Sequence, residues 1–419
     1  MGFRCHRVER RGLNGGGVAA AGLDGPVGIP RVNRLSMGSG KRLMSGFLPR
    51  HFWRCAPSQT PAFLLTPGLR NRFRLPGACP PFSMARIHLL APTTLSGVAR
   101  RWGAKAGSLA AVLALTGCGG TTTLNGAGAS FPASIYQRWF RELAGQGVRV
   151  NYQSVGSGAG VRQFLSRTVD FGASDVPMKA DEIAKLPQGV VQIPMTAGAI
   201  AVAYNQKGCE LKLSQSQLVD IFSGKINNYS QLGCAAKPIR VVHRSDGSGT
   251  TANFTAHLAA ISPAWKEAVG AGKTVKWPTG IGAKGNEGVA AQLLQVEGGI
   301  GYVEEAFVKE PLQSAALTNA SGQVVKPTLA SGQEALASID LGPDLIGSNP
   351  NPPKGYPIVT FSWILLYKSG NGAKHDALNK VFSYTLSEPA QAMAPDLGFI
   401  SLPADVVAKA KAALATVQP

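Results

Sequence analysis

The chain has 419 residues, of which 44% are hydrophobic, and a formal net charge of +19. This length is enough for two or more ordinary domains. The charge is uneven, because residues 1–117 contain 17 Lys and Arg against Glu9 and Asp24, which leaves residues 118–419 with a net charge of only +4. A region so near neutrality lacks the basic surface that a nucleic-acid backbone requires, so we expect no nucleic-acid partner.

The N-terminal residues 1–83 are rich in Gly, Pro and Arg and show no sustained hydrophobic period, so we assign them no fold. We interpret them as a processed leader, or as an upstream extension produced by a start codon assigned too early, with Met84 as the true start. A basic interaction tail is the alternative.

Residues 84–117 are predicted to be a lipoprotein-type signal peptide. Basic residues precede the apolar run 109–115, which is shorter than the roughly 20 residues that a membrane-spanning helix needs. The sequence Leu-Thr-Gly-Cys118 that ends it resembles the bacterial lipobox, in which the cysteine is lipidated and becomes the first mature residue. We therefore expect a periplasmic or cell-surface protein anchored to the membrane through Cys118. The alternative is that Cys118 only lies beside an ordinary cleavage site.

Export implies an oxidising compartment, where Cys209 and Cys234 are the two cysteines that remain after Cys118. A bond between them would close a loop of about 25 residues and contribute on the order of 3 kcal/mol in the chain-entropy model. Two small buried thiols are the alternative.

One local pattern occurs three times: a short strand, a loop with small hydroxyl-bearing residues, and the start of an amphipathic helix. The loops contain Ser130, Ser157 and the segment 244–251. The N–H groups and the dipole of a helix N-terminus attract an anion, and the guanidinium of Arg244 can bind two of its oxygens. Helix capping after a Gly-rich turn is the alternative for any single loop.

Hydrophobic spacing places these loops between ordered elements. Strands are predicted in residues 148–152, 169–175 and 239–243. The predicted helices have the apolar faces Ile135, Trp139 and Leu143; Val161, Phe164 and Leu165; Phe254, Leu258 and Ile261; and Val289, Leu293 and Leu294. Loops of this kind lie at the carboxyl ends of strands in α/β sheets, where anions bind.

Asp175, which ends the second of these strands, is an unexpected residue for an anion site. A carboxylate repels an anion, unless the anion carries a proton that it can donate to the carboxylate. Asp175 therefore predicts selection of a protonated oxyanion. A solvated turn residue before Val176-Pro177 is the alternative.

From about Leu124 to its end, the chain resembles the phosphate-binding protein of bacterial high-affinity phosphate ABC transporters. The resemblance lies in a set of short motifs spread along this region. They are residues 126–132 (GAGASFP), 156–157 (GS), 169–175 (VDFGASD), 244–250 (RSDGSGT), 276–278 (KWP), 285–288 (GNEG), 299–303 (GIGYV) and 356–357 (YP).

The resemblance implies a phosphate site without metal or cofactor. Asp246 is expected to brace Arg244. The family often has Thr where Ser130 stands, which preserves the hydroxyl donor. The implied phosphate ligands are Ser130, Phe131, Ser157, Asp175, Arg244, Ser248, Gly249 and Thr250.

The resemblance also implies an α/β fold of the two-lobed periplasmic-binding type (type II), with two hinge strands expected near 199–204 and 359–367. One lobe would combine 121–198 with 355–419, and the other would be 199–354. The implied protein is a monomeric, non-enzymatic solute receptor that delivers inorganic phosphate to the permease subunits of an ABC transporter.

Two enzymatic or cofactor alternatives are weaker. A secreted phosphatase or esterase would use Ser157 or Ser248 as a nucleophile, but it would need a base beside that serine. Residues 280–285 match G-x-G-x-x-G, but residues 276–279 form a poor strand to precede a dinucleotide turn.

Overall fold

The computed structural model describes residues 121–419. The predicted leader, the signal peptide and Cys118 lie outside the described residues. In the part of the chain that is described, no helix has the length and apolar character needed to cross a membrane.

Strands and helices alternate along the described chain. The strands are β1 (Thr122–Gly128), β2 (Val148–Ser154), β3 (Phe171–Ser174), β4 (Val190–Tyr204), β5 (Lys212–Leu213), β6 (Arg240–Arg244), β7 (Ile281–Ala283), β8 (Gly299–Glu304), β9 (Gln313–Ser314), β10 (Ala316–Thr318), β11 (Val324–Val325) and β12 (Val359–Tyr367). The helices are α1 (Ala133–Leu143), α2 (Ser157–Leu165), α3 (Ala180–Ile183), α4 (Gln215–Phe222), α5 (Gly249–Ile261), α6 (Pro263–Ala268), α7 (Gly285–Gln295), α8 (Leu329–Leu336), α9 (His375–Thr385), α10 (Glu388–Ala392) and α11 (Ala404–Leu414).

A nine-stranded sheet with the order β2-β1-β3-β12-β4-β8-β6-β7, to which β9 adds beside β4, organises the molecule. A small second sheet has the order β11-β10-β5. The large sheet has two halves, and within each half the strands that precede the predicted anion loops are parallel to a neighbour. The loops after β1 and β2 therefore meet at one sheet edge, and the loop after β6 lies at the corresponding edge of the other half.

Strand β4 belongs to both halves. Its residues up to Ala199 pair antiparallel with β12, whereas those from Ile200 onward pair with β8. A second connection lies just before β12, where the carbonyl of Ile358 accepts a 2.8 Å hydrogen bond from the N–H of Ile200. The chain thus crosses between the halves at two adjacent places, as expected for a two-lobed fold. The exact lobe boundaries at 199 and 355 stay predictions.

The hydrophobic faces of the helices agree with the predicted spacing in all but one helix. Helix α1 buries Ile135, Trp139 and Leu143 against the sheet, and the indole N–H of Trp139 donates to the carbonyl of Ala390 at 2.8 Å. The prediction was wrong for Leu294, which is 46% exposed. Helix α7 is only half covered, so Val289 and Leu293 fill its buried side and the adjacent position faces outward.

Cys209 and Cys234 form a disulfide, with their Cα atoms 5.5 Å apart. The bond ties the segment after β4 to the segment before β6. The same region is held by Tyr204, whose hydroxyl donates to the carbonyl of Cys209 at 2.8 Å. The disulfide therefore fixes two loops of the half that contains β6.

Candidate anion-binding site

The three predicted loops come together in one buried network. Each loop follows a strand and ends at a helix N-terminus: β1 to α1, β2 to α2 and β6 to α5. All their polar side chains in the network are at most 4% exposed: Ser130, Ser157, Arg244, Ser248 and Thr250. Buried groups of this kind require hydrogen-bond partners, so the contacts among them define the chemistry of the site.

Ser157, at the first turn of α2, connects the two halves of the molecule. Its hydroxyl oxygen accepts the N–H of Asp175 at 3.2 Å and the N–H of Gly249 at 3.1 Å. Its Oγ also lies 3.3 Å from Oδ2 of Asp175. A Cβ at Gly249 would lie 2.6 Å from the Ser157 Oγ and 2.7 Å from the Asp175 Cβ. Only glycine allows the start of α5 to approach this closely.

Further contacts hold the halves together around this point. The N–H of Gly158 donates to the carbonyl of Gly247 at 2.8 Å. The side-chain amide of Asn253, on α5, donates to the carbonyl of Asp175 at 2.8 Å. The network therefore contains groups from both halves of the molecule.

Asp175 is almost completely buried and has hydroxyl groups beside both of its oxygens. Ser362 on β12 donates to Oδ1 at 2.9 Å, and Ser157 lies beside Oδ2. Burial raises the pKa of Asp175 to about 7, although the hydrogen bond from Ser362 and the charge of Arg244 act in the opposite direction. The side chain is thus a buried, hydrogen-bonding carboxyl group that forms no direct salt bridge with any residue in 121–419.

Arg244 lies opposite, with its guanidinium held by Asp246. Nε donates to Oδ1 at 2.8 Å and Nη2 to Oδ2 at 2.6 Å, while Nη1 lies 3.4 Å from the Thr250 hydroxyl. Burial alone would raise the pKa of Asp246, but the hydrogen bonds and charge of Arg244 outweigh that effect and lower it. One edge of the guanidinium is fixed by a carboxylate, which leaves Nη1 directed to the start of α5.

Ser248 and Phe131 occupy helix starts in different ways. The hydroxyl oxygen of Ser248 accepts the N–H of Thr251 at 3.0 Å and so caps α5. Phe131 is fully buried ahead of α1, and its ring packs edge-on against Phe399 with centroids 6.2 Å apart. The capping interpretation therefore holds for the Ser248 oxygen, whose O–H hydrogen can still be donated elsewhere.

Sequence comparison relates the chain to a group of solute-binding proteins. Residues 116–389 match the model of the PBP superfamily domain. The chain is 41% identical over 310 residues to the phosphate-binding protein PstS of Pasteurella multocida, with 69% of this chain and 89% of the relative covered. The chain belongs to the PstS family. A PstS of Methanocaldococcus jannaschii is 34% identical over 334 residues, covering 68% of this chain and 84% of the relative.

Solved structures share the fold at lower identity. A phosphate-binding protein from Stenotrophomonas maltophilia is 23% identical, with a TM-score of 0.59, covering 70% of this chain and 93% of that chain. A putative phosphate ABC transporter substrate-binding protein with bound phosphate from Clostridium perfringens is 17% identical, with a TM-score of 0.53, covering 67% and 100%. The predicted α/β fold of the two-lobed binding-protein type is confirmed.

Two polar residues of this PstS-family site were not predicted from the sequence. Asn286, at the start of α7, is fully buried and donates through Nδ2 to the hydroxyls of Ser130 and Thr250 at 3.0 and 3.2 Å. Ser362 lies inside the apolar run of β12. The available signal was weak: Thr360 and Ser362 are alternate polar residues in an otherwise hydrophobic strand, so they share one face of the sheet.

The described histidines lie in other surroundings. His243 stacks on Trp277 with centroids 5.0 Å apart, and Nδ1 of the buried His257 lies 2.8 Å from the carbonyl of Pro350. His375 pairs with Asp376 at 2.9 Å. Each described imidazole thus has a partner other than Ser157 or Ser248.

Neither a metal site nor a dinucleotide site is supported by the described residues of this PstS-family chain. Within the described residues, no group of three His, Cys, Asp or Glu side chains is arranged to hold a metal ion. Residues 281–283 of the G-x-G-x-x-G segment form strand β7, rather than the loop that a dinucleotide site requires.

Proposed function

We propose that the protein binds inorganic phosphate in the cleft between its lobes and delivers it to an ABC transporter for import. The observation that carries this proposal is the buried network itself. It combines helix N-termini, hydroxyls and one arginine with a single buried carboxyl group at Asp175.

The electrostatics of the network suit a small dianion. Three helix N-termini each present N–H groups and a partial positive charge, and Arg244 adds a guanidinium whose Nη1 is directed away from its partner Asp246. The proposed ligands are Ser130, Phe131, Ser157, Asp175, Arg244, Ser248, Gly249 and Thr250, with Asp246 supporting Arg244.

Asp175 would supply the selectivity. A phosphate that still carries a proton can donate it to the Asp175 carboxylate, whereas sulfate would present a bare oxygen to it. Unpaired buried groups are a strong source of discrimination between molecules of the same shape, so sulfate should be rejected.

The proposed cellular role follows from the family and the leader. We propose a monomeric receptor outside the cytoplasmic membrane, in the periplasm or at the cell surface, anchored by a lipid on Cys118. Its partners would be phosphate and the permease subunits of the transporter. The names of its relatives support phosphate binding.

Calorimetry of the purified protein with phosphate and with sulfate tests the proposal. We expect heat from phosphate binding at one site and no binding of sulfate at the same concentrations. Equal binding of the two anions would contradict the role of Asp175. Release of product from a phosphoester in the same samples would instead favour the phosphatase alternative, which the relatives do not support.

Lobe closure gives a second test. Because the proposed ligands come from both lobes, phosphate should stabilise the closed cleft. Small-angle scattering of the protein freed of phosphate should show a larger radius of gyration than the same sample with saturating phosphate. An unchanged radius would contradict closure.

A further inference from the structure

Asn286 occupies an unusual position, because one side chain contacts two of the proposed ligand hydroxyls that lie on different lobes. Its Nδ2 is 3.0 Å from the Ser130 oxygen and 3.2 Å from the Thr250 oxygen. Its backbone N–H also donates to the Ser130 oxygen at 3.0 Å. The side chain is 0% exposed, so solvent does not compete for these contacts.

The orientation of the Asn286 amide is fixed from its other end. Oδ1 accepts a hydrogen bond from the backbone N–H of Glu304 at 3.0 Å. A backbone N–H can only donate, so this contact identifies the amide oxygen and places the NH₂ group toward the two hydroxyls. The two hydrogens of that NH₂ group match its two hydroxyl partners.

These contacts determine which way the hydroxyl groups point. A hydroxyl has one hydrogen to donate and two lone pairs that accept. The Ser130 oxygen already accepts twice, from the N–H and the Nδ2 of Asn286. The Thr250 oxygen accepts from Asn286 and, at 3.4 Å, from Nη1 of Arg244. With both lone pairs engaged, each hydroxyl can act toward a further partner only as a donor.

We propose that Asn286 is a positioning residue that forces the hydroxyls of Ser130 and Thr250 to donate to the bound anion. The inference rests on the proposed phosphate-binding function. It adds a reason why these hydroxyls donate to the anion rather than accept from it. The hydroxyl of Ser157 can also act only as a donor, but for a different reason: its oxygen already accepts two backbone N–H groups. Asp175 then offers the acceptor that faces the proton of the anion.

A side chain that merely supports the fold would have a different signature from one that acts through the hydroxyls. The test is a double-mutant cycle on phosphate affinity, measured by calorimetry on the full chain. Asn286→Ala is made in the wild type and in a Ser130→Ala/Thr250→Val background. We expect the substitution to weaken phosphate binding roughly 30-fold in the wild type, the equivalent of two ordinary hydrogen bonds.

In the background that lacks both hydroxyls, Asn286→Ala should weaken binding by about twofold or less, because there is no hydroxyl left to orient. Asn253 is the matched control. It is also a cleft asparagine, but its amide donates to the backbone carbonyls of Asp175 and Gly249. The cost of Asn253→Ala should therefore be the same in both backgrounds.

Equal cost of Asn286→Ala in the two backgrounds would overturn the proposal. If that variant does not fold, Asn286→Asp takes its place in the cycle. It keeps the acceptor for Glu304 but turns donors into acceptors, so its cost should fall at least threefold when the hydroxyls are removed. Failure of the wild type to bind phosphate would refute the proposed function, whereas normal binding by Asn286→Ala would refute only this inference.

Discussion

Asp175 and Asp246 are two carboxyl groups of one site with opposite environments, the first buried and the second partly buried, with 12% of its side chain exposed. Asp246 forms two hydrogen bonds with Arg244, which lower its pKa, whereas Asp175 faces hydroxyl groups and burial raises its pKa to about 7. The difference separates two tasks. Asp246 holds the charge of Arg244 in place, whereas the proposed role of Asp175 is to provide an acceptor that distinguishes protonated from bare oxygens. Under this proposal, the same residue type serves charge placement at one position and selection at the other.

Of the changes considered for these two carboxyl groups, removal of the positive charge of Arg244 should have the largest effect on stability. In Arg244→Gln, Asp246 keeps its charge in a largely buried position but loses its partner, which should lower the free energy of unfolding by about 3–5 kcal/mol. Urea denaturation of phosphate-free protein at pH 7 measures this. The double variant Arg244→Gln/Asp246→Asn should recover much of the loss. An unchanged denaturation midpoint in the single variant would show that the pair contributes nothing.

The pH dependence of stability should differ in sign between the two carboxyl groups. For Asp175 the folded pKa, about 7, exceeds its ordinary value of 3.8, so its contribution is complete below 3.8 and is lost as pH rises through 7. Relative to Asp175→Asn, the wild type should lose roughly 2–4 kcal/mol between pH 4 and pH 8. Urea denaturation of phosphate-free protein across this range measures it.

Asp246→Asn is the matched variant for that measurement. The pKa of Asp246 is lowered, so its stabilisation is present above 3.8 and is lost as pH falls below that value. The advantage of the wild type over Asp246→Asn should therefore shrink toward acid pH. Parallel curves for the two variants would contradict the contrast between the carboxyl groups.

Of the two carboxyl groups, only that of Asp175 should determine the selectivity of the site. Asp175→Asn replaces an acceptor by an amide that can donate, so phosphate affinity should fall and sulfate affinity should rise. We expect the ratio of the two affinities to decrease roughly 10- to 100-fold, as for an unpaired buried group of 1–3 kcal/mol. Competition calorimetry measures the ratio. Asp246→Asn should weaken the binding of both anions similarly. An unchanged ratio of phosphate to sulfate affinity in Asp175→Asn would contradict the proposed role of Asp175 in selectivity.

The smallest expected effects come from the neutral hydrogen bonds that support Asp175 and Arg244. Ser362→Ala removes the donor to Oδ1 of Asp175, and Tyr302→Phe removes the hydroxyl that accepts the backbone N–H of Arg244 at 3.1 Å. Each should cost about 1 kcal/mol of stability. Only Ser362→Ala should raise the pKa of Asp175 further, which carboxyl NMR of labelled protein would detect. A similar shift of the Asp175 pKa in Tyr302→Phe would show that the surroundings of Asp175 and Arg244 are not independent.

Local features of the site could be predicted from the sequence because they depend on neighbours along the chain. Helix starts and the carboxyl-terminal ends of strands have signals within a few residues. The Arg244–Asp246 pair was implied by the family resemblance instead. The structure places Ser130, Ser157 and Thr250 in one network, as expected from loops at the edges of parallel strands.

The role of Asn286 could not be predicted, because its partners are 156 and 36 residues away along the chain. The sequence places it at the start of a helix and in the GNEG motif of the family resemblance, but assigns it no partner. The prediction that Leu294 is buried was wrong for a related reason, since helical spacing identifies an apolar face but not how much of it a neighbouring element covers. Ser362 depends on the register of β12 beside β3, which pairs Trp363 with Ser174. Such long-range pairings follow from the assembled sheet rather than from local pattern.

The near-complete burial of the site also bears on how fast a ligand is exchanged. With Ser157 touching Gly249 and Asn253 touching Asp175, an anion cannot pass between these groups while they remain in contact. We therefore expect entry and departure to require separation of the proposed lobes, so that the dissociation rate would be governed by that motion. A transporter that pulled the lobes apart would thereby break the hydrogen bonds that one lobe is proposed to make to the anion.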